Sequence, residues 1–169
     1  MVIKVLAEGL GLGILLVLVC AFGIRKGAVN MVFLYHEDVQ KRCIDSGLIT
    51  QAKIKRNQAV FKACCIPFYF AYILIFAYAV NGARGFLSGF WQMFAILSVM
   101  NIIDRIFVDG IWVGHTNAWV IPGTEDMRPY ITARDKCKKW LFGTVGMAAL
   151  SAVLSGIMLM VTIPIQTTP

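Results

Sequence analysis

With 59% hydrophobic residues and a mean hydropathy of +0.73 over 169 residues, this chain carries more apolar surface than a soluble domain of its length can bury; soluble domains are about 45–50% apolar. The excess is gathered into runs near the length, about 20 residues, that crosses a bilayer, which excludes a water-soluble globule. The net charge of +7 does not point to nucleic acid. The basic residues flank the apolar runs, where they orient helices and meet anionic head groups.

The first run is Val5 to Ile24, closed by Arg25 and Lys26. It reads as a retained helix, because only Lys4 stands as an n-region and no small-x-small cleavage site precedes Arg25. Gly9-x-x-x-Gly13 forms a small-residue ridge suited to close helix contact. Glu8 is expected to pair with Lys4 one turn earlier.

Residues 25–62 form a basic segment. Within it Met31, Tyr35, Val39 and Cys43 recur every four residues, so an amphipathic helix lying at the membrane interface is expected from Asn30 to Ile44. Ser46-Gly47 ends it, and Thr50 caps the next helix. The second span covers 63–80 with a kink expected at Pro67. A short turn, Asn81 to Arg84, leads to a third span over 86–108, whose helical pattern continues past it to the break at Pro122-Gly123. Thr124-Glu125-Asp126 reads as a turn and helix start.

The last helix enters at Thr132-Ala-Arg-Asp135, a capping-box pattern with Asp in place of Glu, and spans 140–163. Ala148, Ala152 and Gly156 make a second small-residue ridge, expected to be a helix contact within or between subunits.

These elements make an all-α membrane protein, one four-helix domain over 1–169 with helices 2–4 extended into the cytoplasm. Lys and Arg are dense in 25–62 and in 114–139 and sparse in the 81–85 turn, so both larger loops face the cytoplasm and both termini face outward. The expected location is the cytoplasmic membrane if the cell is bacterial. Cys20, Cys43, Cys64, Cys65 and Cys137 all map to that side, where thiols stay reduced, and no C-x-x-C redox pair is present.

Candidate chemistry concentrates at the end of the third helix. At about 100° per residue, Asn101, Asp104, Arg105, Asp109, Trp112, His115 and Thr116 fall within an arc of about 140°, provided Gly110 and Gly114 do not break the helix. Ionisable groups near a bilayer face a partner, a cavity or water. Arg105, oriented by Asp104 and Asp109, can hold a carboxylate or phosphate through two parallel hydrogen bonds. His115 and Asp109 are the candidate acid–base groups, with Asn101 and Trp112 beside the ligand. The competing reading is an ion-paired helix end. Asp104, Asp109, His115 and the distant His36-Glu37-Asp38 match no known metal-ligand spacing, and haem would need histidines inside the membrane, so no metal is expected and no cofactor can be named.

The number of helices, the outward termini and the long basic first loop resemble, in topology alone, the membrane-associated eicosanoid and glutathione enzymes. Arg56-Asn57 stands nearest to that family's Arg/Asn/Glu signature, but no Glu follows, so no residue role is carried over.

The leading functional expectation is a site at the cytoplasmic interface for an amphiphilic or anionic molecule, with catalysis left open. The alternatives are an oligomeric transporter or channel subunit, and an accessory subunit of a membrane complex. The apolar outer half of the third span, relieved only by Gln92 and Ser98, counts against a conduction path. The expected partners are the bilayer, such a small molecule and a second copy of the chain.

Overall fold

The computed structural model describes residues 1–166, and no strand occurs among them. Helix α1 covers Val2–Ile24. A 3-10 helix over Ala28–Leu34 leads to α2, Glu37–Asp45. Helix α3 spans Gln51–Leu74 and runs on as π-helix over Ile75–Val80. Helix α4 spans Gly85–Ile103, continues as π-helix over Asp104–Trp112, and ends in one turn, α5, Val113–His115. A 3-10 turn over Glu125–Met127 precedes α6, Ala133–Gln166. Four of these helical stretches are long and apolar enough to cross a membrane. They contain the spans read from the sequence, and the second to fourth are longer than those spans at the loop side.

The local signals explain the boundaries. The Thr50 hydroxyl accepts from the Lys53 amide, satisfying one of the free N–H groups of the first turn of α3. At α6 the Thr132 amide donates to Asp135 Oδ2 at 3.0 Å and the Asp135 amide donates to Thr132 Oγ1 at 3.3 Å, a reciprocal capping box. Gly47, at φ +72°, supplies the left-handed residue after α2. Pro67 lies inside α3 without ending it.

Helix α4 is central and packs on α1 along one side and α6 along another. Between apolar helices in lipid there is little hydrophobic gain, so close approach of small residues does the holding. The Gly9 and Gly13 ridge does this against α4: a Cβ at Gly9 would lie 2.6 Å from Val99 Cβ. At the α4–α6 contact the small residues are Gly89, Ser151 and Ser155, both serines fully buried. The Ala148, Ala152, Gly156 ridge makes no close contact inside the chain at Gly156, where a Cβ would meet nothing within 4 Å. Glu8 does not take its expected bond from Lys4; its carboxylate accepts from Asn81 Nδ2 at 2.8 Å, joining α1 to the turn before α4.

The expected amphipathic helix over 30–44 is not one helix. Tyr35 and His36 are extended, at φ/ψ −91°/166° and −58°/154°, and divide it into the 3-10 helix and α2. The apolar spacing survives the break with a different partner. Met31, Tyr35, Val39 and Cys43 are all buried and share one cluster with Trp119, Ile121 and Tyr130. The stripe is covered by the chain's own 116–132 segment, and the two segments together form a cap over one end of the bundle. A second cluster, with Leu12, Ile73, Met93 and Ile96 at its centre, lies between the long helices.

The two halves of the cap are joined by the Tyr35 hydroxyl, which donates to the Trp119 carbonyl at 2.5 Å, and by its ring, 5.0 Å from that of Tyr130. Burial raises the Tyr35 phenol well above its usual range, with Tyr130 and Cys43 adding to the effect, so it remains a protonated donor. Tyr35→Phe should leave that buried carbonyl unpaired and cost about 1–3 kcal/mol. Amide exchange across 117–130 should quicken; unchanged exchange would mean that packing alone holds the segment.

Candidate functional site

The ionic residues of the third helix sit on its π-helical stretch. A π-helix closes i to i+5 hydrogen bonds, seen here where the Val113 amide donates to the Val108 carbonyl, and it advances less per residue than an α-helix. Residues early in the stretch therefore keep the face expected at α-helical spacing, and later ones fall behind it. Asn101, Asp104, Arg105 and Asp109 come together as expected. Trp112 turns toward the cap, its ring 5.6 Å from that of Trp119. His115 is exposed, and its Nδ1 lies 2.8 Å from the Gly110 carbonyl, which fixes that nitrogen as the donor. Thr116 bonds back to the Trp112 carbonyl through its hydroxyl.

Arg105 is the hub of the ionic group. Its Nε donates to Asn101 Oδ1 at 3.2 Å, Nη2 lies 2.7 Å from Asp104 Oδ2, and Nη1 bonds Asp109 Oδ2. Every guanidinium nitrogen is thus engaged, and the side chain is only 16% exposed. Asp109 also accepts from Lys139 Nζ of α6 at 3.1 Å. Sequence spacing could not reveal Lys139, because it arrives from another helix 30 residues away; the only signal was its place in the basic start of α6. Two carboxylates and two cations make the group neutral as a whole. Burying such charges is tolerable only when each is paired and hydrogen-bonded, as here.

A cavity of about 430 Å³ opens beside this group, at the border between bundle and cap. Asp104, Arg105, Asp109 and Lys139 form its ionic wall. The rest of its lining includes Leu16 and Cys20 of α1, Phe33 and Leu34 of the 3-10 helix, Phe61 of α3, and Tyr35, Trp119 and Tyr130 of the cap. Phe33 and Phe61 pair with ring centroids 5.4 Å apart. Cys20 is buried, so it contributes as a small apolar group. This lining was missed at the sequence level because its residues come from four separate segments. Trp112, His115 and Asn101 do not line the cavity; Asn101 acts on it through Arg105.

Several polar residues away from the cavity's ionic group have structural partners. Asn57 donates to the Asn30 carbonyl at 3.0 Å, tying α3 to the 3-10 helix. His36 Nε2 lies 3.2 Å from Asp135 Oδ2, linking the start of α2 to the start of α6. Arg42 pairs with Asp126 at 3.4 Å, and Thr124 is fully buried against Tyr130. Compared with family models, with characterised proteins and with solved structures, the chain matches none, so its functional reading rests on this site alone.

Proposed function

We propose that this chain is a four-span membrane protein that binds an amphiphilic molecule in the cavity between bundle and cap. The cap lies on the cytoplasmic side and both termini lie outside. The observation that carries the reading is the composition of the cavity: ionic side chains and aromatic and aliphatic ones line the same space of about 430 Å³. That volume falls in the range of small-ligand pockets, about 300–1,000 Å³. A molecule with a polar head and an apolar tail can satisfy both kinds of side chain at once, whereas a wholly polar or wholly apolar one leaves one kind unmatched.

Orientation rests on the basic residues of the 25–62 and 114–139 segments. Cys137 is exposed near the start of α6 and reports on it. A membrane-impermeant maleimide should label Cys137 in permeabilised but not in intact cells. Rapid labelling in intact cells would reverse the orientation. Cys43 is unsuitable as a reporter, since it is fully buried and burial raises its thiol pKa.

Binding is tested by purifying the protein and identifying by mass spectrometry what stays with it. Leu34 lines the cavity yet is 48% exposed, so Leu34→Trp fills the space without cutting into the core. The wild-type protein should retain an amphiphile, Leu34→Trp should lose most of it, several-fold or more, and His115→Gln should retain it. Equal retention by wild type and Leu34→Trp would mean that the copurifying molecules are lipid on the outer surface and that the cavity is not a site.

A further inference from the structure

We infer that Lys139, rather than Arg105, receives the head group, and that the ligand is a single-chain amphiphile with an acidic head. This rests on the reading that the cavity binds an amphiphile and adds its chemical class.

The assignment follows from which cation is more open to an incoming head group. All three nitrogens of Arg105 already face Asn101, Asp104 and Asp109, and the side chain is 16% exposed. A guanidinium has five N–H donors and an ammonium three, so each cation keeps two in reserve, and what separates them is exposure. Lys139 spends one on Asp109, and its side chain is 40% exposed. It can therefore accept an oxyanion while keeping its bond to Asp109, so the ionic group stays intact when the ligand arrives.

Charge points the same way. A cationic head would need a free carboxylate, but Asp104 is paired with Arg105, and Asp109 with both Arg105 and Lys139. It would add a third cation to a group whose two carboxylates are already balanced by Arg105 and Lys139. An acidic head adds no such cation. It would raise the negative charge of a neutral group by one, and Lys138 stands by to offset it. Lys138 and Lys139 both line a smaller cavity of about 170 Å³ that shares Leu34, Tyr35, Tyr130 and Ile131 with the larger one. Asp135 also lines this smaller space but is committed to Thr132 and His36. The two cavities are neighbours, and Lys139 lines both while Lys138 lines the smaller one. The larger cavity lies toward the lower end of the usual ligand range, which suits one alkyl chain rather than two.

A carboxylate and a phosphate monoester share the oxyanion that Lys139 would recognise, so the test separates them. The full-length protein in lipid nanodiscs is photolabelled with a diazirine-bearing C16 carboxylic acid or with its methyl ester, and adducts are mapped by mass spectrometry. The acid should label cavity-wall peptides, those bearing Leu16, Phe33 or Phe61, at least five-fold more than the ester. Lys139→Gln should bring the acid down to the ester's level, and Lys139→Arg should keep the preference. Unlabelled palmitate or lysophosphatidate is then added as competitor; stronger displacement by the first identifies a carboxylate head, by the second a phosphate. Equal labelling by acid and ester, unaffected by Lys139→Gln, would overturn the head-group assignment while leaving an amphiphile cavity in place. Labelling of outward-facing helix surfaces alone would overturn both. Acid preference that survives Lys139→Gln would overturn the assignment to Lys139, and the acid–ester comparison in the unmutated protein decides the charge of the head group even where Lys139→Gln fails to fold.

Discussion

Arg105→Gln should lower the unfolding free energy by about 3–5 kcal/mol, the cost of removing one partner from a buried ion pair and leaving the others uncompensated. The substitution leaves Asp104 and Asp109 with Lys139 as their only cation, and Asp109 is just 6% exposed. Arg105→Lys should fall between wild type and Gln. It keeps the charge, but it lacks the planar fork whose three nitrogens reach Asn101, Asp104 and Asp109 separately. Adding Asp104→Asn to Arg105→Gln should recover part of the loss, because one of the two unpaired carboxylates is then gone. Denaturant titration of these proteins and of Asp104→Asn alone, followed by tryptophan fluorescence, measures the coupling; Trp119 lies in the cap and Trp112 packs against it. Wild-type stability in Arg105→Lys together with loss of the copurified ligand would mean that Arg105 binds the ligand itself, and Lys139 would lose its assigned role.

The positioning role given to Arg105 marks the point where sequence spacing stops being informative. Asn101, Arg105 and Asp109 are four residues apart, and that interval survives the change to π-helix closely enough to keep them together. Six residues further on it does not, and His115 leaves the face. Nothing in the residues Asp104 to Trp112 announces π-helix to a reading that assumes 100° per residue. The cap shows the same limit from another side. The four-residue spacing of Met31, Tyr35, Val39 and Cys43 correctly marks a buried face, but periodicity says only that a face is apolar, not what covers it. A bilayer and the chain's own Trp119–Tyr130 segment are equivalent to such a pattern. The long apolar helices, by contrast, were legible because their signal is length and composition, which need no knowledge of a partner. The capping signals at Thr50 and Thr132 were legible because capping is local. The cavity was not, because each wall is contributed by a different segment, and only the folded chain brings Phe61, Trp119 and Lys139 to one space.

The two small-residue ridges give the second large prediction, because the same motif has opposite surroundings in α1 and α6. At Gly9 an added Cβ would lie 2.6 Å from Val99 Cβ and 3.0 Å from the Ile96 carbonyl oxygen. Neither atom can swing aside, since one is fixed to the backbone and the other belongs to it. Gly9→Ala should therefore cost about 1–3 kcal/mol of packing strain, and Gly9→Leu more, by driving α1 away from α4. The clash at Gly13 is shorter, 2.2 Å, but it is with Ile103 Cδ1, the end of a side chain that can change rotamer, so Gly13→Ala should cost less than Gly9→Ala. The damage at Gly9 should also reach the cavity, because α1 carries Leu16 and Cys20 into its wall; ligand retention should fall with stability. At Gly156 the added methyl meets nothing within 4 Å. Gly156→Ala should be neutral or slightly stabilising, since Ala is up to about 1 kcal/mol more favourable than Gly inside a helix. Thermal unfolding of the three Ala variants ranks them directly, and equal loss at Gly9 and Gly156 would refute the α1–α4 packing described here. Gly156→Leu asks the remaining question about α6. If it leaves the unfolding of the single chain unchanged but abolishes a crosslinked dimer, the ridge is a contact between copies; if crosslinking and stability are both unchanged, the ridge faces lipid.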